Sequence, residues 1–149
     1  MAKICTAAES SACFGLGFRR VRREDRPPDG TVGHAVIDAA LLLLAESAAT
    51  AFWVFTRSGR TALRVSKQRP AKPVFAFTPH RETLRYLSGL WGVTPLYIPM
   101  VRTTDQMIAT AQRVIRSQGL AKSGQDVILL VGHAVASGAT HIIKVHRVG

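Results

Sequence analysis

The residues best suited to chemistry are Thr56-Arg57-Ser58-Gly59-Arg60-Thr61, where an apolar run ends abruptly in hydroxyls, a glycine and arginines. Small side chains and backbone N–H groups at a helix start favour a phosphate or carboxylate, because the first amides lack partners and the macrodipole is positive there. Arg57 and Arg60 add charged donors suited to phosphate oxygens. A plain helix cap needs one side-chain acceptor, and this stretch carries more than that. A second candidate is Gly132-His133-Ala134-Val135-Ala136-Ser137-Gly138-Ala139-Thr140, a run of mostly small residues after the most apolar strand. Ligands of open α/β sheets bind outside the carboxyl ends of strands. Two glycine-bearing loops at neighbouring strand ends can grip the two ends of one phosphorylated molecule, although a plain hairpin connection explains the second loop equally well.

Other chemistry is thinly represented. His34, His80, His133, His141 and His146 are scattered without metal-ligand spacing. His141 and His146 fall on opposite sides of a strand. Asp105 and Asp126 stand at element starts, where capping accounts for them. No Ser-His-Asp arrangement emerges, so no catalytic residue and no metal site is expected.

The elements that must position the anion turn follow from periodicity. His34 to Ser47 reads as a helix, apolar around most of its circumference and so covered on both sides. Ala51 to Phe55 is apolar without alternation, as in a strand buried on both faces of a parallel sheet. Thr61 to Gln68 is a short helix stopped by Pro70. Val74 to Phe77 is a strand, and Thr78-Pro79 opens a helix running to about Leu90. Gly92 to Pro95 reads as a turn and Leu96 to Met100 as a strand. Thr103 and Gln106 have capping-box spacing, with Met107, Ile108, Ala111, Val114 and Ile115 on one helical face until Gly119. Asp126 to Val131 and His141 to Val148 are strands whose short connection forces antiparallel pairing. The pattern specifies an α/β fold: a three-layer, five-stranded, mostly parallel sheet with the last strand antiparallel at the edge and helices on both faces.

Composition sets outer bounds. The chain has 149 residues, enough for a single domain, with 47% hydrophobic and 19% charged residues. A formal charge of +11 makes anionic partners the expectation, whether phosphorylated metabolites, nucleic acid or an acidic surface. Residues 1–14 read as a helix, 15–33 as a basic, Pro/Gly-rich loop, and 34–149 as the α/β core. Arg19, Arg20, Arg22, Arg23 and Arg26 crowd together without aromatic interleaving, so nucleic-acid binding through them is a weaker reading. Cys5 and Cys13 would lie about 12 Å apart along a helix, too far for a disulfide, which suits a reduced cytoplasmic setting. The most apolar run, Ala35 to Ala45, contains Asp38 and falls short of the roughly 20 residues that span a bilayer. Glu9 and Ser10-Ser11 interrupt the N-terminus where a signal peptide would be apolar.

The motifs together carry a resemblance. Thr56 to Ala62, Val65-Ser66, Arg69-Pro70, Pro73-Val74, Ala76-Phe77-Thr78 and Gly92-Val93-Thr94-Pro95 are similar, in order and spacing, to the C-terminal domain of pyruvate kinase. Gly119, Gly124-Gln125-Asp126 and Ser137-Gly138-Ala139-Thr140 extend the match. Met1 to Cys5 with Ala8-Glu9 resembles the helix by which that domain joins its catalytic barrel.

The resemblance implies an allosteric domain without catalysis of its own. In that family the Thr-x-Ser-Gly-x-Thr turn binds a phosphate of a sugar-phosphate effector, and the loop before the last strand closes over it. Carried across, Thr56, Arg57, Ser58, Gly59, Arg60 and Thr61 become phosphate ligands, and Gly132, His133, Ser137 and Gly138 belong to the closing loop. The edge strand implies a homo-oligomer or association with a pyruvate kinase catalytic domain. The Mg and K ions of the family belong to its barrel, so no cofactor is expected in this domain. His133-Ala134 stand where fructose-bisphosphate-activated animal members carry Trp-Arg, and Met107 stands about where they place an arginine for the second phosphate. His141 replaces the family's usual asparagine. One phosphate or two therefore stays open. The alternatives are a small enzyme acting on a phosphorylated substrate and a basic nucleic-acid-binding protein.

Overall fold

The computed structural model describes Ile4, Ala7 and residues 32–132 and 140–149. Met1–Gly30 and Thr31–Gly149 are separate compact units. In the first, Ile4 and Ala7 are helical and exposed. The rest of the expected linking helix and the arginines between 19 and 26 lie outside the described residues.

The second unit runs α1 (Val32–Glu46), β1 (Ala51–Phe55), α2 (Arg60–Lys67), β2 (Val74–Thr78), α3 (Arg81–Leu87), β3 (Val93–Tyr97), α4 (Thr104–Ser117), β4 (Asp126–Gly132) and β5 (Thr140–Arg147). The 5-stranded sheet has the order β3-β2-β1-β4-β5. The first four strands in that order are parallel, and β5 is antiparallel to β4. The α/β architecture is therefore the expected one, including the antiparallel edge. Its order adds what periodicity could not supply. The chain moves outward from β1 through β2 to β3, then returns by α4 to place β4 on the other flank of β1. That reversal is a topological switch point, the position at which open α/β sheets hold ligands.

Right-handed crossovers in opposite directions put their helices on opposite faces. Residues alternate accordingly. Phe52, Val54, Val74, Ala76, Ile128 and Leu130 pack with Ile37, Ala40 and Leu44 of α1, Ala62 and Val65 of α2, and Leu87 of α3. Trp53, Phe55, Phe75, Phe77, Val127, Leu129 and Val131 pack with Ile108, Ala111 and Ile115 of α4. Among the described residues α4 is the helix that packs on the second face, and large rings lie beside it. Phe55 stacks on Phe77 with centroids 4.9 Å apart, and Trp53 meets Phe77 edge-on at 5.6 Å.

Several boundaries differ from expectation for local reasons. β3 begins at Val93 and includes Pro95, which opposes Ala76. Proline lacks a donor but is tolerated on an edge strand, whose outer side has no ladder to complete. α3 begins at Arg81 after the N-cap residue His80, whose amide donates to Thr78 Oγ1 at 3.3 Å. It ends at Leu87, because Leu90 N already bonds the Leu87 carbonyl in a tighter turn. Asp126 caps nothing; its carboxylate forks with Arg147 at 2.8 and 2.9 Å. That hydrogen bonding holds the Asp126 carboxyl below its ordinary range. Among the described residues α1 is buried along the side carrying Ile37, Ala40 and Leu44, and Leu42 on its outer side is 60% exposed. Thr103 does cap α4, accepting from Gln106 N at 3.3 Å.

His146 ties β5 to α4. Its Nε2 lies 3.0 Å from Gln112 Oε1, and its ring tilts against Trp53 at 6.0 Å. Burial, and then the charge of Lys144, lower its pKa, so the neutral ring is the folded form at neutral pH. The unfolded chain binds the proton more readily, so stability is full above the unfolded value of about 6.5 and falls as pH drops through it. Urea midpoints measured between about pH 7.5 and 5.5 should show this decline, and His146→Gln should flatten it.

Candidate anion-binding site

β1 delivers the chain to the switch point and stops there. Phe55 opposes Val131 in the β1–β4 register, so the turn after β1 and the segment after Gly132 leave the same end of adjacent strands. The two candidate stretches are thus brought side by side at their roots. His133, Ser137 and Gly138 lie outside the described residues, and Gly132 is described as the last residue of β4.

The turn is built by backbone geometry rather than by a side-chain cap. Thr56 is buried, and its amide donates to the Phe77 carbonyl at 3.0 Å, extending the pairing with β2 by one residue. Thr56 Oγ1 then accepts from Gly59 N at 3.0 Å, closing a tight loop. Gly59 is the N-cap residue of α2 with φ 81°, in the left-handed region that favours glycine. A Cβ there would also stand 2.8 Å from the Tyr86 ring. Gly59 is therefore required twice, for its dihedral and for the approach of Tyr86.

The consequence is electrostatic. α2 has no side-chain cap at its N-terminus and no acidic residue in its first turn. Its first amides have no helical partner behind them, and the positive end of the dipole is uncompensated by the helix itself. Exposed Arg57, Ser58 and Arg60 surround that end, while Thr61 is buried just inside it. Arg60 Nε donates to Ser58 Oγ at 3.3 Å, so the hydroxyl and one guanidinium converge on the solvent side. The six residues chosen from the sequence thus divide by role. Thr56 and Gly59 shape the turn, with the Gly59 amide engaged by Thr56; Arg57, Ser58 and Arg60 form its outer surface; Thr61 anchors the helix.

Residues 56–61 contain no carboxylate, imidazole or thiol that could serve as a general base. Among the described residues, no group of three or more His, Cys, Asp and Glu side chains comes together to hold a metal ion. α3 adjoins the turn as well, which the motif Thr56–Thr61 does not reveal. Thr83 Oγ1 donates to the Arg57 carbonyl at 2.7 Å, and Tyr86 and Leu87 adjoin Gly59. Their spacing, with 83, 86 and 87 on one helical face, is the signal that was available.

An open, mostly parallel α/β sheet with helices on both faces and an uncapped, arginine-flanked helix start at its switch point is a domain of the doubly wound kind. The sequence profile described as "Pyruvate kinase, alpha/beta domain" matches residues 34–146. Relatives include a pyruvate kinase of Agrobacterium vitis, 35% identical over 80% of this chain and 25% of its own length. Others are those of Methylorubrum extorquens, 31% identical over 97% of the chain and 30% of its own length, and Clostridium acetobutylicum, 32% identical over 99% and 31%. The chain belongs to the pyruvate kinase C-terminal α/β domain family. It spans about a quarter to a third of the length of these relatives.

Proposed function

We propose that the chain is a regulatory domain that binds a phosphorylated metabolite, a sugar phosphate, at the turn Thr56–Thr61. The observation that carries this reading is the uncapped N-terminus of α2 at the sheet's switch point, flanked by Arg57, Ser58 and Arg60. A phosphate there would compensate the helix dipole and take hydrogen bonds from backbone, hydroxyl and guanidinium donors together. Gly132, His133, Ser137 and Gly138 would close over it from the adjacent strand end. The site binds rather than transforms, in keeping with a domain that acts on a catalytic partner.

For that partner we propose either another copy of this chain or a pyruvate kinase catalytic domain, within the cytoplasm. β5 offers an edge for such assembly, with Ile142 and Val145 exposed on it. No helix among the described residues is long and apolar enough to cross a membrane. The Mg and K ions of the wider family have no role in this reading of the turn.

Titrating fructose 1,6-bisphosphate, glucose 6-phosphate, ribose 5-phosphate and AMP against the melting temperature tests it. A ligand at a hundredfold excess over its Kd adds about 2.7 kcal/mol, or roughly 5–10 °C for a domain of this size. If none of the four raises the melting temperature, the effector reading fails. A steep salt-dependent affinity for DNA would instead favour the nucleic-acid alternative.

A further inference from the structure

The anion turn does not stand alone; α3 leans on it at two points. Thr83 Oγ1 donates to the Arg57 carbonyl at 2.7 Å. That carbonyl and the Ser58 N–H belong to one planar trans peptide, in which C=O and N–H point in opposite directions. Drawing the carbonyl toward α3 therefore turns the Ser58 N–H away from α3. At the second point, Tyr86 Cδ1 and Cε1 lie 2.8 and 2.9 Å from where a Cβ of Gly59 would stand. The ring occupies that space, beside Gly59 at φ 81°. The same β-α unit also supplies the Phe77 carbonyl that takes the Thr56 amide at 3.0 Å.

We infer that Thr83 and Tyr86 are positioning residues for phosphate binding: α3 sets the orientation of the Arg57–Ser58 peptide and the conformation of Gly59, and so aims the donors of the turn. This rests on the reading of Thr56–Thr61 as the phosphate site. It assigns a role to a helix that contributes no ligand to the anion. It also makes the link reciprocal, since an anion that fixes the Arg57–Ser58 peptide stabilises the seating of α3 in return.

The test uses the full chain, labelled with 15N, and inorganic phosphate as the probe. Thr83→Val removes the hydroxyl at nearly constant shape, and Thr83→Ser restores it. In the ligand-free protein, Thr83→Val should shift the Ser58 and Gly59 amide resonances, and Thr83→Ser should return them toward the wild-type positions. On titration, Thr83→Val should bind phosphate about three- to tenfold more weakly, the worth of one hydrogen bond, and Thr83→Ser should recover to within about twofold. A general loss of structure would lower binding in both variants alike, so recovery by serine separates positioning from stability. Wild-type affinity in Thr83→Val, or failure of serine to restore it, overturns the inference while leaving the site intact. Unmoved Ser58–Thr61 amides in the wild type on adding phosphate overturn the site itself and the inference with it.

Discussion

Replacing Gly59 with alanine is expected to cost about 1–2 kcal/mol of stability, against which the lower entropy of the unfolded alanine chain returns about 0.4–1 kcal/mol. The larger effect falls on binding. Gly59 sits at φ 81°, and the new methyl would stand 2.8 Å from the Tyr86 ring, so either the dihedral or the ring must move. Tyr86 is half-exposed and can swing outward, which keeps the domain folded. The Gly59 amide would then leave Thr56 Oγ1, and the outer donors would lose their common aim. Urea denaturation should show a modestly lower midpoint at unchanged slope. Phosphate affinity should fall by more than tenfold, beyond what a lost hydrogen bond of about 1 kcal/mol produces.

Trp53→Ala is the most damaging single change expected in the core, costing about 3–5 kcal/mol. Trp53 lies in the central strand, is fully buried, and touches Phe77 at 5.6 Å and His146 at 6.0 Å. It packs in the cluster formed with Ile108, Ala111 and Ile115 of α4. Its Nε1 is buried without a hydrogen-bond partner among the described residues. An unpaired buried donor carries its own penalty of about 1–3 kcal/mol. Trp53→Phe removes that donor and keeps a ring, so its cost should be well below that of alanine. Both variants remove the donor, so equal losses would show that a phenyl ring recovers none of the lost packing and would contradict this expectation.

What could be seen in the sequence follows from which forces are local. Ala51 to Phe55 and, after Asp126, Val127 to Val131 were legible because strands buried on both faces must be apolar along their buried length, and both are so here. The short β4–β5 connection forced antiparallel pairing whatever the tertiary arrangement. Pro95 misleads because the same residue signals a turn or an edge strand, and only the sheet order decides between them. Asp126 misleads because its partner, Arg147, is distant in sequence. The outer half of the candidate turn, Arg57, Ser58 and Arg60, was recognisable from residue type. The inner half was not: that Tyr86 abuts Gly59 and Thr83 bonds the Arg57 carbonyl depends on how α3 packs after β2.

The proposed function stands or falls on whether Thr56–Thr61 holds a phosphate group. The most direct measurement is calorimetric titration, into wild type and Ser58→Asp, of the sugar phosphate that raises the melting temperature most. Ser58 is exposed, so the substitution should leave the fold intact while placing a carboxylate in the position assigned to the phosphate. Repulsion, together with neutralisation of the helix start, should weaken binding a hundredfold or more, on the order of 3 kcal/mol. Equal affinity in the two proteins would place the ligand elsewhere and contradict the account.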